Sequence, residues 1–140
     1  DAQNPGATKI DATLDATTIN TGVAGRDDHL RSPDFFDTAK FPTLSFKSKS
    51  ARKTADGLAV TGDLTMHGVT KEVVLNVEGP TLEVKDPWGN QRRGATATTK
   101  INRRDFGLNW GKALEAGGVV VGDDIAITID VEGTRPGARK

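Results

Sequence analysis

The 140-residue chain contains no cysteine, so it can form neither a disulfide nor a thiolate zinc site. That absence fits an oxidising or a reducing compartment equally. No apolar run approaches the ~20 residues that a membrane-spanning helix requires. Charge of one sign is not in excess: 19 basic side chains balance 19 acidic ones. A nucleic-acid binder carries a basic footprint, so this balance argues against one. It also gives no reason to expect attraction to anionic lipid surfaces, and stable membrane insertion is not expected. Aromatic residues are sparse, at 5%. Long amphipathic helices, repeats and linkers are all missing. The polar start Asp1–Pro5 has no signal-peptide character, which leaves periplasmic, secreted and cytoplasmic locations open.

What is present is glycine, 16 residues, with 6 prolines, a supply suited to many short strands joined by turns. The length is that of one domain over residues 1–140, with the first seven and last seven residues reading as loose ends. Alternation of apolar and polar residues recurs along the chain. Ile10, Ala12, Leu14 and Ala16 alternate with polar neighbours, as do Leu58, Val60, Gly62, Leu64 and Met66. The same period holds for Val73, Leu75 and Val77, for Ala95, Ala97, Thr99 and Ile101, and for Ile125, Ile127, Ile129 and Val131. A period of two with one apolar face indicates an antiparallel sheet that is wet on its other side. Evenly spaced short runs of this kind belong to a sandwich or a barrel. Asp56-Gly57, His67-Gly68 and Gly79-Pro80 mark turns, and Asp86–Asn90 is a longer loop carrying Trp88.

The stretch from Arg26 to Lys49 has a different character. Arg26–Arg31 predicts a brief helix, Ser32 a cap for the following turn, and Pro33 its first residue. Phe35, Phe36 and Phe41 lie beside charges and are expected to plug one end of a core. Pro42 ends any helix, and Leu44 and Phe46 then begin a half-buried strand. This is a lid laid across a β-structure.

Catalytic and metal signals are weak. His29 has Asp27, Asp28 and Ser32 beside it, but neighbours on one helical turn point in different directions, and a triad is defined by geometry. A helix-lid role is favoured, with Arg26 and Asp27 or Asp28 fixing the lid through ion pairs. His67 follows Met66 at a strand end and lacks the ligand spacing of a zinc site, so a hydrogen-bonded turn histidine is expected. Asp123 and Asp124 are adjacent, and one of them is expected to begin the last strand. No catalytic residue and no metal ligand is assigned. Arg92, Arg93, Arg103 and Arg104 match phosphate geometry but read as solvated surface groups.

Four segments together carry a resemblance: Arg26–Lys49, LTMHGVTKEVVLNVEG (Leu64–Gly79), DPWGNQRRGATATTKINRRDFGL (Asp86–Leu108) and GGVVVGDDIAITIDVE (Gly117–Glu132). In this order they resemble the YceI-like family of polyisoprenoid-binding proteins. The resemblance implies an all-β fold, an antiparallel lipocalin-like β-barrel with a short helical lid. It implies a polyisoprenoid or similar long apolar lipid held inside for sequestration or transport, without catalysis. A bound isoprenoid or isoprenoid quinone is then a ligand, and no cofactor is expected. The dry wall is assigned to Leu44, Phe46, Leu58, Val60, Leu64, Val73, Leu75, Val77, Ala95, Ala97, Ile125, Ile127 and Ile129. Phe36, Trp88 and Phe106 are candidate mouth residues. The small residues Ala95, Ala97 and Thr99 suit a channel wall, or else interdigitate with the bulky strand Ile125–Val131. The resemblance also implies that relatives carry, before the position of Asp1, a stretch that supplies the barrel's first hairpin. Its absence here predicts exposed edges and a homodimer or strand exchange, with a smaller closed barrel or a fragment as the other outcomes. A hydrolase acting on an isoprenoid or ester, and a partner-binding barrel with a filled core, stay open as rival functions.

Overall fold

The computed structural model describes residues 4–112 and 120–137. Residues 1–3 and 138–140, and Gly117–Val119 at the start of the fourth motif, lie outside the described residues. Seven strands form one antiparallel sheet: β1 (Asp11–Asp15), β2 (Thr43–Lys53), β3 (Gly57–Met66), β4 (Val69–Glu78), β5 (Val84–Lys85), β6 (Gln91–Asn102) and β7 (Asp124–Arg135). One helix, α1 (Ala24–Arg31), lies between β1 and β2. It begins two residues before the predicted Arg26, because Asp27 N–H closes the first turn onto Val23 O.

Neighbouring strands run β1-β2-β3-β4-β6, and β7 pairs with β6 along its whole length, from Gln91↔Arg135 to Asn102↔Asp124. β4 reaches β6 only at Asn76↔Thr98, Val77↔Ala97 and Glu78↔Thr96, and β5 takes the same edge further along at Val84↔Arg92. The sheet curls into a lipocalin-like barrel. Among the described strands β1 and β7 do not pair, so a seam lies open between them. Two expected loose ends carry structure: residues 5–7 form a 3₁₀ turn, and β7 continues through Thr134 and Arg135.

Turn chemistry sets the registers. His67 (φ 55°) and Gly68 (φ 72°) make the two-residue β3–β4 connection, with positive φ at both positions. A side chain at Gly68 would meet the Phe41 ring 2.6 Å away. A bulge between Ser48 and Ser50 re-aims β2, so Ala51 rather than Ser50 faces inward beside Val60. On β3, Gly62 leaves room for the Phe46 ring, whose Cζ lies 2.5 Å from where a Cβ would stand.

The interior is polarised along the barrel. At one end, Phe35, Met66, Ile101, Phe106 and Leu108 are buried together, with Leu30, Phe36 and Trp110 packed against them. Phe35 and Phe36 therefore act as the plug that the sequence suggested, whereas Phe41 packs against the His67 ring at the β3–β4 turn. Phe46, Val60 and Leu75 form a second buried cluster between β2, β3 and β4.

Candidate functional site

The inward face of the sheet encloses an apolar cavity of about 240 Å³. Strand alternation builds it. β2 supplies Leu44 and Phe46, and β3 supplies Leu64 and Met66. Val73, Leu75 and Val77 come from β4; Ala95, Ala97 and Thr99 from β6; Ile127, Ile129 and Val131 from β7. Ile10, Ala12 and Leu14 close the β1 side. Thr99 is the one lining residue with a polar side chain. Ala97 stands beside Ile129 in register, and Ala95 beside Val131. The small residues of β6 and the large ones of β7 are thus neighbours within one sheet, not partners interdigitating across a core. The space above the alanines is part of the cavity.

Ten of the assigned wall residues line this space: Leu44, Phe46, Leu64, Val73, Leu75, Val77, Ala95, Ala97, Ile127 and Ile129. Three do not. Val60 is fully buried in the β2–β4 cluster, and Leu58 packs on that cluster near the strand's start. Ile125, the second residue of β7, is 37% exposed. Sequence reasoning left out Ile10, Ala12, Leu14, Met66, Thr99 and Val131, although the alternation that placed the other residues includes all of them. Leu14 and Val131 flank the open seam and are 47% and 56% exposed.

The three candidate mouth residues do not form one mouth. Phe106 is 1% exposed, inside the plug, and Phe36 packs against the same cluster. Trp88 lies at the opposite end of the barrel, 78% exposed on the loop before β6. That loop is ordered around Asp86, whose carboxylate accepts from Trp88 N–H (3.0 Å), Asn90 N–H (2.8 Å), Asn90 Nδ2 (3.1 Å) and Arg92 Nε (2.9 Å). Burial raises the Asp86 pKa, but these donors outweigh it, Asn90 foremost, and hold it at about 2. Arg92 also pairs with Glu132 across the β6–β7 ladder.

The lid is fixed differently from expectation. Asp27 accepts from the Thr21 N–H (2.8 Å) and hydroxyl (2.5 Å), and the Thr21 hydroxyl bond is the main cause of its lowered pKa. Arg26 donates to Thr21, and Arg31 reaches the Thr17 and Ile19 carbonyls. Hydrogen bonds to the preceding segment thus hold α1 more than ion pairs do. His29 Nε2 meets Asp34 at 2.8 Å, while its ring sits edge-on to Phe35 and Trp110. The Ser32 hydroxyl donates to the His29 carbonyl and not to its ring. His67 is a turn histidine, its Nδ1 3.1 Å from Phe106 O. Asp124 begins β7 beside Lys100, and Asp123 faces Arg104.

Arg103 departs most from its expected role. It is 3% exposed. Its guanidinium donates to the carbonyls of Leu108 (2.7 Å), Trp110 (2.6 Å), Gly122 (2.9 Å) and Val121 (3.5 Å), with Asp123 at 3.4 Å. A planar five-donor group suits this cage, which ties the segments before and after the 113–119 stretch to the plugged end. Among the described residues, no three His, Asp or Glu side chains gather as a metal site requires, and no helix is long and apolar enough to cross a membrane.

An antiparallel barrel with an apolar interior and a helical lid is the architecture of lipocalin-like binding barrels. Residues 1–133 match the YceI-like domain, and the chain belongs to that family. It is 46% identical over 114 residues to Protein YceI of Escherichia coli O17:K52:H18, covering 77% of this chain and 56% of that protein. A UPF0312 protein of Ectopseudomonas mendocina is 39% identical over 138 residues, 96% of this chain and 68% of that one. The Campylobacter jejuni YceI crystal structure superposes with a TM-score of 0.78 at 32% identity, over 91% of this chain and 72% of that one. Burkholderia cenocepacia BcnA, at 21% identity and a TM-score of 0.75 over 95% and 79% of the two chains, shares the fold. The chain spans about half the length of the curated YceI relatives it matches.

Proposed function

We propose that this protein binds, and thereby sequesters or transports, a polyisoprenoid or similar long apolar lipid inside its barrel, without catalysis. The observation that carries the reading is the cavity of about 240 Å³ whose lining is apolar except for Thr99. An engineered apolar cavity of roughly 150 Å³ stays dry and takes up benzene. Each methylene moved from water into such a space gains ~0.8 kcal/mol, so several isoprene units suffice for tight binding without polar recognition along the tail. The enclosed volume holds only part of a long chain. The rest has a path along the seam between β1 and β7, where Leu14 and Val131 present apolar surface.

The placement of both histidines supports a binding role over hydrolysis. Neither His29 nor His67 lines the cavity. A bound isoprenoid or isoprenoid quinone is ligand here, not cofactor. The edges of β1 and β7 are templates through which a second copy can pair, and a dimer in sedimentation supports that arrangement while a stable monomer refutes it. Organic extraction of the purified protein followed by mass spectrometry tests the main reading. Recovery of a prenyl or fatty chain in stoichiometric amount is expected. A protein that carries none, and takes up none from an added pool, refutes it.

A further inference from the structure

The barrel wall has a gap beside its plugged end. β4 and β6 pair only at Asn76↔Thr98, Val77↔Ala97 and Glu78↔Thr96. From Val69 to Leu75 on β4 and from Thr99 to Asn102 on β6, no strand among the described residues takes the facing edges. Each stretch stays extended because its other edge is laddered, β4 to β3 and β6 to β7. The third side is the 3₁₀ turn Arg103–Phe106, tied to the β3–β4 turn by the contact of His67 Nδ1 with Phe106 O. The space so framed measures about 440 Å³. Val73, Thr99 and Ile101 border it from the inward face of the sheet, and Glu72, Val74 and Lys100 from the outward face. Successive side chains on a strand point to opposite faces, so a space lined by both sets passes through the sheet. Val73 and Thr99 also line the apolar cavity, which makes them the inner rim of a window.

We propose that this window is a lateral port for the far end of a tail longer than the cavity, an inference that rests on the tail-binding reading above. A chain that runs tail-first along the barrel axis meets the plug, where Ile101 and Phe106 are buried. The same two residues border the window, so the way out lies beside the obstruction. Two observations mark the window as open to water. The unpaired main-chain groups on both strand edges need solvent as their partner. Lys71 borders the window on the inward phase of β4, paired with Leu64 of the cavity wall, yet it is exposed and makes no ion pair among the described residues. In a closed sheet a lysine in that phase is a buried, unpaired charge; the gap lets its amine reach solvent. Thr99, the one polar side chain on the cavity, stands where the dry interior meets this water. Tail carbons beyond the rim therefore add little affinity. What the window supplies is tolerance of length: a chain too long for the cavity is neither folded back nor excluded.

The test exploits the absence of cysteine, which makes an engineered pair the sole thiols of the chain. Val74→Cys and Lys100→Cys, introduced together, place one thiol on each strand across the window, and neither position lines the cavity. A bifunctional methanethiosulfonate reagent bridges them and closes the opening, with the bridge verified by intact mass; a reducing agent reopens it. Farnesol and the much longer solanesol, delivered from cyclodextrin, compete with a fluorescent prenyl probe. With the window open, solanesol should bind at least as tightly as farnesol. Bridging should weaken solanesol by about tenfold, the cost of returning roughly two methylenes to water, and leave farnesol within about twofold, which also reports a folded barrel. Reduction should restore the open-state ratio. Solanesol affinity unchanged by the bridge overturns the port, since the overhang then leaves along the seam between β1 and β7. Farnesol bound and solanesol rejected in the open state overturns it too, and leaves the tail reading intact. Equal loss of both alcohols on bridging also overturns it, marking the window as part of the cavity itself. Failure of both alcohols to bind the unbridged protein removes the tail reading, and the port with it.

Discussion

Replacing Ala97 by leucine separates a hollow barrel from a filled one. Ala97 lies at the middle of β6, its side chain on the cavity and its strand neighbours Val77 and Ile129 also lining it. The added carbons enter space that a ligand otherwise occupies, and each displaced methylene is worth ~0.8 kcal/mol. Displacing about three of them lowers affinity by about 2.4 kcal/mol, or roughly 60-fold. In a solid core the same change overpacks the interior and costs about 1–3 kcal/mol of stability. In a void of about 240 Å³ the new side chain has room, so the urea midpoint should move little. The assay is competition against a fluorescent fatty-acid or prenyl probe, beside urea unfolding of the same samples. Thr98→Leu, one residue along on the outer, exposed face, serves as the control and should leave affinity unchanged. Unaltered affinity in Ala97→Leu, or a loss of stability of overpacking size with no loss of binding, refutes the cavity as the ligand's seat.

Three further outcomes follow from the geometry. Arg103→Met leaves the Leu108, Trp110 and Gly122 carbonyls without their donor and should cost about 3–5 kcal/mol in urea unfolding, with lysine a poor substitute because it lacks the fork. Gly68→Ala forces a side chain into a left-handed position against Phe41 and should cost about 1–2 kcal/mol or more, again read by denaturation. Asp86, with a folded-state pKa of about 2 against an ordinary carboxylate value near ~3.9, binds its proton more weakly in the folded state. Its contribution to stability is therefore complete above about pH 4 and is lost as pH falls towards about 2. Unfolding curves across that window should drop less steeply for Asp86→Asn than for the parent protein, and equal slopes refute the assignment.

The strands were legible because a half-buried sheet writes its period directly into residues such as Ile125, Ile127 and Ile129. The lid was legible from Pro33 and Pro42 bracketing three phenylalanines. Alternation tells which face a residue occupies, but not how far along the barrel the hollow extends. That is why Val60 and Leu58, correctly inward, fall in packed wall beyond the cavity, while Met66 and Val131 line it. Trp88 and Phe106 look alike in sequence as aromatics at strand ends. They flank one strand, β6, and so stand at its opposite ends, a consequence of the alternation at Ala95–Ile101 that grouping them as one mouth overlooks. Arg103 was hidden for another reason: its partners are backbone carbonyls between Leu108 and Gly122, and a carbonyl cage leaves no trace in side-chain pattern.

The central claim is that an apolar chain sits inside the sheet. Methyl-resolved NMR during titration with farnesol tests it most directly. The account predicts intermolecular contacts and shifts at Leu44, Val73, Leu75, Ile127 and Ile129, with the exposed Leu82, and Val84 on the short strand β5, unmoved. Shifts confined to those two exposed residues, or none at any interior methyl at saturating ligand, would contradict it.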